Sequence, residues 1–438
     1  MQDEVYQFIE KTADELYEET VRIRRDFHTY PEPGWAEVRT SSLVARRLTD
    51  LGYRVLTGED VCARNAMMGL LSEETFKEEY QRAVEEGADM EFAPKMKNGF
   101  TGVIGILENG EGPVVALRFD IDALYMTENH TEDHRPYREG FASKNIPYMH
   151  ACGHDGHAAM GLGVAKILMQ IKDKLHGTVR LIFQPAEEGV RGAKAIVEHG
   201  HLDNVDYLLG SHISSIEGFN GDIVPGAYGS LATTKMDVEF YGKAAHAGSD
   251  PEKGKNVMLG IATAISNLYS IPRNGQGASR INVGTVRAGS GRNVIADYAK
   301  MQIEVRGETS EINEYMEEYA KRIIKSAAQM HDLKEKITLM GSAITIQSDD
   351  KLVKRVRKNC EKNLKTVKLS DKDYMHLGGS EDFSFMMKKV QDNGGLAIFL
   401  RVLSPLGDVP HGTGFDFDEK CLIAGIKVFA ASVYDLMK

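Results

Sequence analysis

The stretch "MHACGHDGHAAMGLG", residues 149–163, sets His150, Cys152, His154 and His157 close together. Thiolate and imidazole are common ligands of a borderline divalent metal ion. Gly153, between Cys152 and His154, lets the chain turn so that both side chains face one ion. Asp155 stands where an N-cap would open the apolar helix that follows. The ligands would then occupy a loop that the helix holds rigid. "QPAEEG" adds the adjacent carboxylates Glu187 and Glu188, which repel each other unless a cation or a proton separates them. A metal ion can neutralise one and leave the other as general base toward the attacking water of amide hydrolysis. His212 in "GSHIS" and His411 in "VPHGTGFDFDE" are further ligand candidates, and "RFDIDAL" offers Asp120 and Asp122. Each feature alone has a plain reading. Lone histidines such as His28, His130, His199 and His331 are commonly solvated or structural, a lone cysteine is often a small buried hydrophobe, and paired glutamates often open a helix. Their joint placement argues for one site.

These residues need elements to position them. The runs "FTGVIGIL", "GPVVALRFD", "GTVRLIFQP" and "YLLGSHI" are apolar throughout and separated by helical patterns. This predicts an α/β domain with a mixed, mostly parallel sheet covered on both faces. Asp120, the glutamate pair and His212 then fall at strand ends, where open α/β sheets bind ligands. The first 60 residues predict two helices around a turn at "YPEPGW", and residues 72–87 predict a charged surface helix. Near residue 230 the pattern changes. "TTKMDVEFYG" alternates Met236, Val238 and Phe240 as a half-exposed strand does. A helix, two strands, a long helix N-capped by Ser310 and a last strand follow. That order, β-α-β-β-α-β, predicts a ferredoxin-like unit over 229–342, inserted into a large domain made of 1–228 and 343–438. "LAIFLRVLS" returns as a strand of the large domain, and 417–437 predicts a final helix.

Composition bounds the rest. A chain of 438 residues exceeds what one core usually serves. With 42% hydrophobic and 27% charged residues it has the balance of a globular protein. The net charge of −11 argues against nucleic acid as a partner. Cys62, Cys152, Cys360 and Cys421 are scattered, which fits a reducing compartment rather than a disulfide framework. "MQDEVYQFIEKTADELY" is unlike a signal peptide, and no apolar stretch reaches the ~20 residues of a membrane span. The expectation is a cytoplasmic protein with neither membrane nor nucleic-acid partner.

"MHACGHDGH", "QPAEEG", "RFDIDAL", "AAHAG", "GSGRNVI" and "GSEDF" together resemble the M20 metallopeptidases, in the amidohydrolase branch that includes bacterial and plant N-acyl amino acid hydrolases. The resemblance spans nearly the whole chain, and "RNAMMGLLSEETFKEEYQRAVEEGA" and "HRPYREGFAS" narrow it within that branch. It implies two divalent ions per chain, manganese first and zinc as the alternative. Cys152 would bridge them as thiolate, with His154, Glu188, His212 and His411 completing the ligand set. Glu187 would be the general base. Many relatives have His-x-Asp where this chain has "DID", so Asp120 stands at a ligand-histidine position, and Asp122 would orient a ligand from behind. His246 would polarise the scissile carbonyl in the site of a partner chain. Asn282 and Arg292 would hold the substrate carboxylate, for which a guanidinium fork is suited. Glu381 and Asp382 would support the site or cap the helix after them. The implied reaction is hydrolysis of a carboxylate-bearing amide. The implied partner is a second chain, identical or paralogous, meeting the small domain.

Two rival readings use the same residues. Cys152 could be a nucleophile activated by His154 or His157, but this leaves the glutamates unexplained. The chain could instead be a binding protein that holds metal or ligand without turnover. A chelator separates the first from a metal enzyme, and affinity without product would mark the second.

Overall fold

The computed structural model describes residues 4–438. In chain order, one sheet takes β1 (Arg54–Thr57), β2 (Val103–Asn109), β3 (Val114–Asp120), β4 (Gly177–Gln184), β5 (Tyr207–Ser215) and β6 (Ile223–Val224). A second sheet takes β7 (Ala232–Tyr241), β8 (Ser279–Ala288), β9 (Tyr298–Gly307) and β10 (Lys334–Ala343), and β11 (Leu396–Ser404) returns to the first. The chain divides into two compact units. The first holds the described residues up to Tyr228, with Ile346–His376 and Asp382–Lys438; the second holds Gly229–Thr345 and Leu377–Glu381.

In the first unit the strand order is β1-β2-β4-β3-β5-β11-β6. The centre, β4-β3-β5-β11, is parallel. The flanking pairs β1/β2, β2/β4 and β11/β6 are antiparallel. The sheet is therefore mixed, as expected, with parallel pairing confined to its centre rather than predominating. An apolar run such as "FTGVIGIL" buries both faces whichever way it pairs, so its composition does not report direction. The helix His154–Gln170 is buried along nearly its whole length. Its glycines allow close approach. A Cβ on Gly161 would stand 2.7 Å from Phe119 on β3 and 2.8 Å from Phe183 on β4.

Several helix starts differ from expectation. The 154–170 helix is capped by Gly153, at φ 93°, and Asp155 lies inside the first turn, where its carboxylate pairs with Arg24 and His28. The first of the two expected N-terminal helices breaks at Leu16, giving Glu4–Glu15 and Tyr17–Thr29 before Val38–Leu51. The charged helix is Glu73–Glu85, with Ser72 accepting the Thr75 N–H as its cap. The final helix is Cys421–Met437.

In the second unit the order is β7, the helix Val257–Tyr269, β8, β9, the helix Ser310–Met330 and β10. The sheet order is β8-β9-β7-β10, antiparallel throughout. Met236, Val238 and Phe240 share its core with Val257, Ile261 and Leu268. Thr309, not Ser310, caps the long helix by accepting the Ile312 N–H. No helix among the described residues is long and apolar enough to cross a membrane.

Candidate metal centre

Because β4, β3 and β5 run parallel, their carboxyl ends meet at one edge of the sheet. Asp120, the last residue of β3, pairs with Gln184, the last of β4. β3 and β5 pair only over Val115–Arg118 and Tyr207–Gly210, then separate. His157 fills the gap. Its Nε2 accepts the Ile213 N–H at 2.9 Å, and its Nδ1 donates to Asp120. A crevice at the carboxyl ends of parallel strands is where such sheets bind ligands.

The ligand candidates of the first unit line this crevice. Cys152, His154 and His212 each offer a ligand atom, and these lie within 4.8 Å of one another. The same limit holds for Cys152, Glu188 and His411, and for His154, Glu187 and Glu188. Cys152 Sγ is thus common to two groups. His212 Nδ1 donates to its neighbour's carbonyl, Ile213 O, at 2.6 Å, while Nε2 stands 3.3 Å from Cys152 Sγ. His154 Nδ1 donates to Asp122 O at 2.9 Å, so a metal ion or a second proton would sit on Nε2. That Nε2 is buried without a hydrogen-bond partner, with Asp120 Oδ2 at 3.7 Å and Glu187 Oε2 at 3.8 Å. His411 is exposed, in left-handed backbone at φ 65°, tied by its N–H to Ala151 O at 2.8 Å.

The electrostatics favour a cation. Burial opposes charge on His154, but Asp120 and the Asp122 hydrogen bond outweigh it and hold its pKa well above the usual imidazole range. Burial, with Arg401 beside it, pulls His212 well down. Burial and Glu188 push the Cys152 thiol up, so the thiolate form needs a positive partner. Soft sulfur, two imidazoles and carboxylate oxygens around an orphaned buried nitrogen fit a divalent transition metal or zinc.

Other residues have different work. Asp120 Oδ1 is taken by His157 and Oδ2 by Arg118. Burial opposes its ionisation, but Arg118 and the two histidines hold its pKa well below the carboxylate range. It braces the separated strand ends. Asp122 accepts the N–H groups of Glu187 at 3.0 Å and Glu188 at 2.9 Å. Asp382 makes no side-chain cap bond to its own helix; it accepts Gly192 N–H and Ala193 N–H, both at 2.9 Å, at the head of an earlier one. Glu381 falls in the second unit. His150 is buried without a hydrogen-bond partner, its ring 6.4 Å from His28, and burial lowers its pKa to about 4.

Sequence reading misses the residues behind the loops. Arg24, fully buried, pairs with Asp155 at 2.7 Å, Asp416 at 3.0 Å and Glu419 at 3.3 Å. His28 sits between Asp155 at 2.8 Å and Glu128 at 2.9 Å. Glu37 accepts the Ala186 N–H at 2.7 Å, and burial with nearby Asp122 pushes its pKa up to about 8. Arg24 is 131 residues from Asp155 and 395 from Glu419, so no local spacing reveals these pairings.

In the second unit His246 is exposed, and its Nδ1 accepts the N–H groups of Gly248 and Ser249, both at 3.1 Å. This tautomer leaves Nε2–H as the outward donor. Ala247 N–H donates to Asn293 O at 3.0 Å, which sets the Arg292 turn beside His246. Asn282 lies apart from that turn, on β8 opposite Glu304.

Known proteins resemble this chain over most of its length. The profile of Peptidase family M20/M25/M40 matches residues 116–435. The chain is 42% identical over 417 residues to indole-3-acetyl-aspartic acid hydrolase of Enterobacter agglomerans, covering 95% of each chain. It is also 42% identical over 408 residues to the A-type chain of p-aminobenzoyl-glutamate hydrolase from Escherichia coli, covering 93% of each. The solved structure of an aminobenzoyl-glutamate utilization protein from Klebsiella pneumoniae superposes with a TM-score of 0.83 at 35% identity, covering 98% of both chains. With a family match over most of its length and relatives aligned nearly end to end, the chain belongs to the M20/M25/M40 peptidase family.

Proposed function

We propose that the chain is a metal-dependent amidohydrolase of N-acyl amino acids, with p-aminobenzoyl-glutamate as substrate and p-aminobenzoate and glutamate as products. The name of the Escherichia coli relative supports this substrate, as do the segments "RNAMMGLLSEETFKEEYQRAVEEGA" and "HRPYREGFAS", which are similar to that relative's. The indole-3-acetyl-aspartic acid hydrolase is equally identical and favours a second reading, an aryl-acyl aspartate. Both names join an aromatic acyl group to an acidic amino acid.

The observation that carries the reading is Cys152 Sγ shared between two ligand groups, with the Glu187 carboxylate beside them. Cys152, His154, Glu188, His212 and His411 would hold two ions, manganese or zinc. When bound, the ions supply Lewis acidity that polarises the amide carbonyl and acidifies water. Glu187 accepts the proton of the attacking water and passes it to the leaving amine nitrogen. The His246 Nε2–H donates to the carbonyl oxygen as negative charge builds there, reaching it from a partner chain. Arg292 and Asn282 hold the substrate carboxylate. The second unit is a ferredoxin-like lid and dimerisation domain, inserted over 229–342 into the catalytic domain. Its partner is an identical chain or a B-type paralogue, and the enzyme works in the cytoplasm.

Glu187→Gln tests the division of labour. It should lower turnover by about 10²- to 10⁴-fold while the chain still binds two ions by elemental analysis. Retained turnover would refute Glu187 as the base.

A further inference from the structure

The loop that carries Glu187 and Glu188 has a backbone conformation its residues do not favour. Ala186 has φ 51°, Gly189 86° and Val190 60°. A β-branched residue in left-handed backbone is a steric outlier, and such strain persists only where the surroundings over-determine it. Three acidic side chains hold the loop by its N–H groups. Glu37 takes Ala186, Asp122 takes Glu187 and Glu188, and Asp382 takes Gly192 and Ala193.

On the carbonyl side, Arg191 folds back over its own loop. Its Nε donates to Glu188 O at 2.8 Å, and its Nη1 donates to Gly69 O at 2.9 Å. A Cβ on Gly34 would stand 2.3 Å from Arg191 Nη2 and 2.9 Å from Ala186 Cα. The turn before Trp35 therefore closes directly on the guanidinium. Trp35 Nε1 in turn donates to Met68 O at 2.7 Å, one residue from the carbonyl that Arg191 holds. The loop, the turn and the 61–71 segment thus meet at one side chain. A planar fork can serve two diverging carbonyls at once; an ammonium on a flexible stem cannot hold that geometry.

We propose that Arg191 is a positioning residue for amide hydrolysis. Its guanidinium locks the Glu187–Glu188 loop in the strained form that aims both carboxylates, and it makes that form depend on the 61–71 segment. The inference rests on the reading of Glu187 as base and Glu188 as ligand.

The test uses Arg191→Ala and Arg191→Lys in the full chain, read three ways. Trp35 is the only tryptophan, so acrylamide quenching of its emission in metal-free protein reports on the junction. Calorimetric titration with manganese and with zinc reports on the carboxylates, and steady-state kinetics separates kcat from KM. Arg191→Ala should lower kcat about 100-fold with KM little changed. It should weaken the binding of one ion about 10- to 100-fold and make Trp35 more quenchable. Arg191→Lys should fall between it and the parent chain, and decides by the same readings if the alanine variant does not fold. Parental kcat and metal affinity in the variants would overturn the proposal, as would a lowered melting temperature with nothing else changed. Should Glu187→Gln turn over normally, the assignment of the base fails, while metal affinity and Trp35 quenching still decide whether Arg191 positions the loop.

Discussion

Cys152 is poorly placed to act alone and well placed to share. Burial and Glu188 keep its thiol protonated, which disfavours the nucleophile reading, since the thiolate is the reactive form. Two ions between it and its neighbours would reverse that. Asp120 is a sharper case at the same scale. The motif puts it at a ligand position, yet both its oxygens are engaged by His157 and Arg118. Asp120→Asn should therefore cost stability but still bind two ions per chain; loss of one ion by elemental analysis would make Asp120 a ligand after all. His28 gives a pH signature. Burial and Arg24 oppose its charge, but hydrogen bonds to Asp155 and Glu128 raise its pKa from 6.5 to about 9. A raised pKa stabilises the fold fully below 6.5, and that contribution is lost as pH rises through 9. Melting temperature should fall between pH 6.5 and 9, and His28→Gln should flatten the fall. Equal slopes for the two chains would contradict the assignment.

At the scale of elements, the site exists because β3 and β5 part after Arg118 and Gly210. The 154–170 helix then inserts its first turn into the opening. Its glycines make this possible. Gly161→Ala should destabilise the chain by about 1–3 kcal/mol through overpacking against Phe119 and Phe183, measured by denaturant unfolding. A neutral result would show that the helix can withdraw from the sheet. This is also the scale at which the sequence is most and least legible. Cys152 with His154, and Glu187 with Glu188, are near neighbours, and chemistry between neighbours can be read from spacing. The apolar strands are equally plain. Pairing direction is not, because burial of both faces hides it. Asp155 looks like a cap because caps are judged locally, whereas its partners Arg24 and His28 come from a distant helix. The Ala186 N–H held by Glu37 and the Gly69 carbonyl held by Arg191 are silent in sequence for the same reason.

At the scale of the whole molecule, the second unit exposes Met258, Leu259, Val286 and Tyr298 at 42, 53, 42 and 42%, apolar side chains that a second chain meeting this unit would cover. If His246 acts on a partner's substrate, a His246→Ala chain mixed with a Glu187→Gln chain should recover part of the lost turnover, since one site of each mixed dimer has both groups. Failure to recover, with mixed dimers present by mass measurement, would confine His246 to its own chain. The central claim is tested most directly by hydrolysis of p-aminobenzoyl-glutamate by the purified chain, after chelation and again with manganese or zinc restored. The account predicts no product after chelation and cleavage when one of the ions returns. Cleavage at full rate by metal-free protein would contradict it and return Cys152 to the role of nucleophile.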